Sequence, residues 1–413
     1  MRHPYRLLSL PIVLVTTALM TAVWASPSSA APAKKFTPGL IAVDAPLTGS
    51  QSSTGIDMWR GAQLAATQIN ASGGVDGVKI KLVKADDKAT ASTGVTVAKK
   101  MIAQHVFGVV GPFNSSVGVA NLPIYKKGGI SIVRLTSAAS TQGFGATTQP
   151  MDVQVAPVEA TEITQVLHAT RVAIIYDTST YTSGIAKQLR GLLTTTGHAP
   201  VAFQSIKEGQ TNFTKVLTAA AAAKPDLLYI AAYGKEAGLL ALGASQMNVP
   251  GSCFVDLAAQ GPDFVAAATT PVAQKCLNSG VPSAEQFAGA TDYVSAYNST
   301  FHAEPGTWGT FTYDSLEILA QAGRDAGGWN QAAVQSKLSN TTAYPGITGT
   351  ITIQPKTGNR LNTPVVMLDI DASGNYVIDP AWATAEHFPL PAAIAEPAIT
   401  PITPITPATL PAS

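Results

Sequence analysis

In the stretch VVGPFNSSVGVANL, residues 109–122, an apolar run stops at Gly111-Pro112. A polar triplet, Asn114, Ser115 and Ser116, then opens what reads as a helix. Asn and Ser side chains accept the free N–H groups of a helix's first turn. A strand running into such a helix also leaves backbone donors facing outward, a ready site for an anion. A nucleotide phosphate is not indicated, because no Lys completes GxxxxGK[ST] and GxGxxG is missing. The same residues also read as an ordinary strand–turn–helix junction.

Other chemistry finds less support. The histidines beyond the leader are His105, His168, His198, His302 and His387, and none stands in HExxH or another metal spacing. GxSxG is absent as well. Neither an enzyme, a metal site nor a cofactor is expected. Lys and Arg number 26 against 25 Asp and Glu. Removing the first thirty residues, with Arg2 and Arg6 and no acid, leaves 24 − 25 = −1. That balance gives no reason to expect a nucleic-acid partner.

The N-terminus reads as a secretory signal: two Arg, an apolar stretch over residues 7–23, then small residues. Cleavage is expected after Ala30; an uncleaved membrane anchor is the alternative. No Cys stands near that site for a lipid anchor, so the chain is expected to be periplasmic or secreted. Cys253 and Cys276 then lie where disulfides persist, and pairing is expected over two free thiols or a metal site. Residues 385–413, with their PIT repeats, read as an extended, disordered tail.

The elements that would position the polar triplet alternate. Strands are expected at 39–46, 78–87, 106–111 and 130–135, with helices at 56–70, 93–104 and 115–127 between them. The rhythm restarts with strands at 171–177, 201–206, 226–233 and 252–257 and helices at 183–195, 213–223 and 236–247. After Pro282 a long helical stretch follows, then a β pair over 349–370 turning at 356–359. Strict alternation implies parallel sheets covered by helices on both faces. Ligands on such sheets bind beyond the C-terminal strand ends, where VVGPFNSS and RLTSAAS both lie.

APLTGSQSSTGIDMWRGAQLAATQINASGGVDGVKIKLVKADD resembles the opening of the leucine/isoleucine/valine-binding proteins, the type I periplasmic binding proteins of branched-chain amino acid ABC transporters. VVGPFNSSVGVANLPIYKKGGISIV, RVAIIYDTSTYTSGIAKQL and FTYDSLEILAQA with its later GITGTITI carry the resemblance on, over roughly residues 38–370. It implies an α/β fold of two doubly wound parallel-sheet lobes joined by a three-crossing hinge, with ligand held between them. The crossings are expected near residues 156–157, 281–282 and 347–348. Lobe 1 is then 36–156 plus 283–347, and lobe 2 is 157–282 plus 348–384.

The resemblance implies that a ligand carboxylate meets Ser116, with Asn114 and Ser115 as neighbours, and the segment Thr136, Ser137 and Ala138. It implies an acid for the ligand's ammonium at Asp256, and cleft tyrosines at Tyr181 and Tyr233. Hydroxyls, free N–H groups and a helix dipole suit a carboxylate without any full positive charge. For each residue a plainer reading stays open: Ser116 as a helix cap, Asp256 as a solvated loop acid, the tyrosines as wall residues. The spacing of Trp59 favours core packing. Two departures, Thr54-Gly55 and RLTSAAS, touch the pocket that reads the side chain. The expected ligand is therefore an amino acid or related amide or carboxylate of unspecified side chain. The expected partner is a membrane permease, and the expected state a monomer. A ligand sensor of the same fold is the alternative function.

Overall fold

The computed structural model describes residues 36–386. The expected signal peptide, and all but the first two residues of the expected tail, lie outside them.

The first lobe runs β1 (Thr37–Ala45), α1 (Ser52–Ala71), β2 (Lys81–Asp86), α2 (Ala91–Ala103), β3 (Val106–Val110), α3 (Ser115–Gly128), β4 (Ser131–Arg134) and β5 (Ala146–Thr147). Its five strands lie in the order β2-β1-β3-β4-β5, all parallel. Every residue of β3 is buried, which suits a central strand covered on both faces.

Helix α4 (Asp152–Thr161) carries the chain into the second lobe. There follow β6 (Val172–Asp177), α5 (Thr180–Thr195), β7 (Ala202–Ile206), α6 (Thr214–Ala222), β8 (Leu227–Ala231), α7 (Gly234–Gln246) and β9 (Ser252–Val255). Two short helices, α8 (Pro262–Ala268) and α9 (Thr270–Ala273), lead into β10 (Cys276–Gly280). Cys253 and Cys276 form the expected disulfide. They are register partners on the neighbouring parallel strands β9 and β10, so the bridge staples the sheet itself.

The chain then returns to the first lobe through α10 (Thr291–Phe301), α11 (Thr307–Asp325) and α12 (Gln331–Ser339). Nearly all of α11 is buried. It crosses α1 backbone to backbone, for a Cβ added to Gly61 would lie 2.1 Å from the Gly309 carbonyl oxygen. Trp59, on the same α1, is partly buried against the core with Lys84 5.0 Å from its ring centroid, in keeping with a packing role.

A small antiparallel sheet follows, of β11 (Tyr344–Gly346), β12 (Gly349–Ile353) and β13 (Arg360–Leu361). Then β14 (Val366–Ile370) and β15 (Tyr376–Ile378) join the second sheet antiparallel, and α13 (Pro380–Ala385) ends the described chain. The second sheet thus reads β15-β14-β10-β9-β8-β6-β7.

Two expectations change. The β pair placed over 349–370 is a hairpin of β12 and β13 only, because the strand after it pairs with β10. The crossing placed near residues 347–348 lies further on, since residues 348–361 bond to the first lobe. Arg134 donates to Gly145 O at 2.8 Å and to Asn359 Oδ1 at 2.7 Å. Arg360 donates to Thr148 O at 3.0 Å and Thr348 O at 2.8 Å. Both guanidiniums are almost fully buried, so each must find acceptors, and carbonyls of the first lobe, with Thr348 O and the Asn359 amide, supply them. The passage between lobes is left to residues 362–365.

Candidate functional site

Three helices begin at the cleft. In the first lobe, β3 ends at Val110 and α3 starts at Ser115. In the second, α5 starts at Thr180 and α7 at Gly234. Asp177, at the end of β6, organises the latter two: it accepts from Ser179 N at 2.8 Å and, more weakly, from Tyr233 N at 3.3 Å.

The lobes meet where α3 faces α5. Ser116 Oγ donates to Thr180 Oγ1 at 3.1 Å and accepts from Thr180 N at 2.9 Å. Ser116 therefore does not cap its own helix; its hydroxyl reaches an unpaired N–H of the opposite helix. Ser115 Oγ accepts from Ala138 N at 3.1 Å, which joins the two expected carboxylate segments. The Asn114 amide donates to Gln51 Oε1 at 2.8 Å, while its buried Oδ1 has no partner. The two positive helix ends point toward each other, an arrangement that favours negative charge between them.

Thr136 and Ser137 spend their hydroxyls within the loop after β4. Thr136 Oγ1 donates to Thr141 Oγ1 at 2.8 Å, and Ser137 Oγ to Pro150 O at 2.7 Å. Both hydroxyls brace their own loop. The Ala138 N–H reaches Ser115 at the start of α3, and the Thr136 methyl packs toward Gly118 of the same helix.

Tyr181 and Asp256 come together under the second lobe's side of the cleft, with Tyr181 donating to Asp256 Oδ2 at 3.1 Å. Asp256 Oδ1 accepts from Ala258 N at 2.9 Å. This acid is 1 % exposed, so it is no solvated loop residue. Its neighbour is Glu159 of α4, which the sequence reading missed. Glu159 accepts from Tyr229 at 2.8 Å and from Ser279 Oγ at 2.6 Å. Burial pushes Asp256 up to about 7, and burial together with the Asp256 charge holds Glu159 well above the carboxylate range. The two carboxyls share protons as a pair.

Tyr233 continues the wall toward the other end of the cleft. Its ring meets Phe113 at 6.3 Å between centroids, and Phe113 meets Trp308 at 5.1 Å. This aromatic run leaves only about 20 Å3 between Gln51, Thr54, Tyr233, Gln260 and Trp308. That is room for about one water. Beyond Trp308 the cleft opens again. Ser53 Oγ bonds to Asp263 across it at 2.6 Å. Phe113, Trp308 and Gln260 carried no sequence signal of their own, because aromatic and amide residues at loop ends have no diagnostic spacing. Among the described residues no group of three or more His, Cys, Asp or Glu could hold a metal ion, and no helix is long and apolar enough to cross a membrane.

The chain matches the periplasmic binding protein family over residues 40–375. It is 31% identical over 306 residues to an amino acid binding protein of Pseudomonas aeruginosa, covering 70% of this chain and 79% of that one. It is 24% identical over 336 residues to Leu/Ile/Val-binding protein homolog 2 of Brucella abortus, covering 80% and 90%. Among solved structures, leucine binding protein LivK of Thermotoga maritima superposes with a TM-score of 0.75 at 22% identity, covering 83% of this chain and 99% of that one. The substrate binding protein LivJ of Streptococcus pneumoniae, in complex with isoleucine, gives 0.74 at 25% identity, covering 82% and 98%. The sheet order, the two lobes meeting at facing helix ends and the family match agree: this chain belongs to the periplasmic binding proteins.

Proposed function

We propose that this protein captures a small amino acid, or a related amide or carboxylate, between its lobes and delivers it to the permease of an ABC transporter. The observation that carries the reading is the meeting of the α3 and α5 N-termini through Ser116 and Thr180. A carboxylate inserted there exchanges the two Ser116–Thr180 hydrogen bonds for donors from both lobes and for two helix dipoles. An ammonium on the same ligand would turn toward Asp256, beneath Tyr181. Such a ligand holds the lobes together, and its binding energy drives closure. The names of the relatives from Pseudomonas aeruginosa and Brucella abortus support an amino acid as the cargo. Binding without turnover is the expected behaviour, and the chain is expected to work as a monomer outside the cytoplasm.

A thermal-shift screen of the purified protein against amino acids, amides and organic acids tests this. At a hundred dissociation constants of ligand, stabilisation of about 2.7 kcal/mol is expected. No shift across the whole panel would overturn the reading. Delivery is read separately, as loss of labelled-ligand uptake by cells lacking the protein.

A further inference from the structure

Asp256 and Glu159 lie one residue along α5 from the point where the lobes meet. Thr180 bonds to Ser116 of the first lobe, and Tyr181, the next residue, donates to Asp256 Oδ2. Asp256 is 1 % exposed and Glu159 is fully buried. The donors to the pair are the hydroxyls of Tyr181, Tyr229 and Ser279 and the backbone N–H of Ala258, and none of them carries a charge. Ser279 Oγ also accepts from Leu257 N at 3.1 Å, which fixes the two acids in register. The other titratable groups that face the pair add no cation: Tyr181 of α5, Tyr229 of β8, Tyr233 before α7, Asp177 at the end of β6 and, through Tyr181, Asp152 of α4. Two buried carboxylates without a cation beside them cannot both ionise, so they hold one proton between them. Below about 7, the value to which burial raises Asp256, they hold a second.

We propose that capture of an amine-bearing cargo expels a proton: the arriving ammonium takes the proton's place beside Asp256, which ionises, while Glu159 stays neutral and donates to it. The inference rests on the reading of the ammonium at Asp256 given above and names what regulates that site. A buried ammonium needs a counter-charge, and an ionised Asp256 supplies one where a neutral acid does not. The displaced proton passes to bulk water. A free amino acid is a zwitterion on both sides of neutrality, so the group that changes charge belongs to the protein. The loaded form binds fewer protons, so affinity for an amine-bearing ligand rises with pH through about 7 and levels off above it.

Calorimetry in buffers of low and high ionisation enthalpy counts the protons. The probe is leucine, or the tightest binder among the protein amino acids if leucine is weak. The control is the same acid without its amine, 4-methylpentanoate for leucine. About one proton per ligand bound should leave at about pH 6 and almost none at about pH 8, with affinity about tenfold weaker at the lower pH. The control should release none and keep its affinity. Asp256→Asn should abolish both the release and the pH dependence for the amino acid. A count per ligand bound is insensitive to a partly unfolded fraction. Amino-acid binding at about pH 6 without proton release, or release that persists in Asp256→Asn, overturns the coupling and leaves amino-acid capture standing. Silence of the whole amino-acid panel overturns both.

Discussion

Each lobe buries a pair of carboxyl groups near the ends of its strands, and the pairs differ in what they touch. In the first lobe, Asp44 of β1 accepts from Asn121 at 2.8 Å and from Tyr125 at 2.9 Å, both on α3. Asp87 accepts from Ala89 N at 2.7 Å. One oxygen of each acid, Asp44 Oδ1 and Asp87 Oδ2, lacks any other partner. A proton held between the two carboxyls satisfies both. Every contact of this pair stays within its lobe. In the second lobe, Asp256 touches Tyr181, and Tyr181 stands in the first turn of α5, the helix that meets Ser116. The first pair ties strands to a helix; the second sits one side chain away from the opposite lobe. Equal chemistry thus serves different ends according to its distance from the cleft.

The largest effect expected from that contrast is on binding. Asp256→Ala should weaken an amine-bearing ligand by about 2–5 kcal/mol, whereas Asp44→Ala should leave the affinity within about twofold. Calorimetry on both variants checks this; equal losses would erase the distinction between the lobes. Reduction of Cys253–Cys276 should cost the protein about 3 kcal/mol, a magnitude set by the 23-residue separation. Urea titration with and without reductant reads it, and a loss confined to second-lobe probes would show that the lobes unfold separately.

A smaller loss, about 1–3 kcal/mol each, is expected for Asp44→Ala and Glu159→Ala, which strand buried hydroxyl or amide donors. The most gradual effect concerns pH. Asp87 and Asp256 both titrate at about 7 in the folded protein, raised chiefly by burial. Their folded values exceed the unfolded ones, so the native state binds more protons over the interval between. Their contribution is complete below about pH 4 and disappears as pH rises through 7, with a slope of about 1.4 kcal/mol per pH unit for each net proton. Glu159→Gln, which stays neutral, should flatten the second lobe's share of that slope. A stability curve as steep as the wild type's would remove Glu159 from the account.

Much of the fold was legible because apolar runs and helical spacing report burial directly: IIY in β6 and LLYIA in β8 read as sheet core before any coordinates. The third crossing was not, for strand propensity in VMLDI says nothing about which partner it takes. At the site, Ser115, Ser116, Ala138, Tyr181, Tyr233 and Asp256 come to the cleft or just beneath it. The Thr136 and Ser137 hydroxyls bond within their own loop, a direction set by local loop bonds that spacing does not encode. Glu159 stayed hidden for a related reason. Among the polar residues of VEATEIT it looks like a solvated helix face, and only the distant Tyr229 and Ser279 make it a buried acid.

The hairpin bolted to the first lobe by Arg134 and Arg360 has a mechanical consequence. Between its last strand and β14 the chain has only residues 362–365, five Cα–Cα links from Leu361 to Val366 that stretch to about 16–18 Å at most. A strap that short acts as a pivot pin: the lobes can swing about it, but they cannot slide apart. Torque generated by a cargo at one rim of the cleft is therefore delivered as rotation at the other, and lengthening the strap by a few glycines would let that leverage leak away as slack.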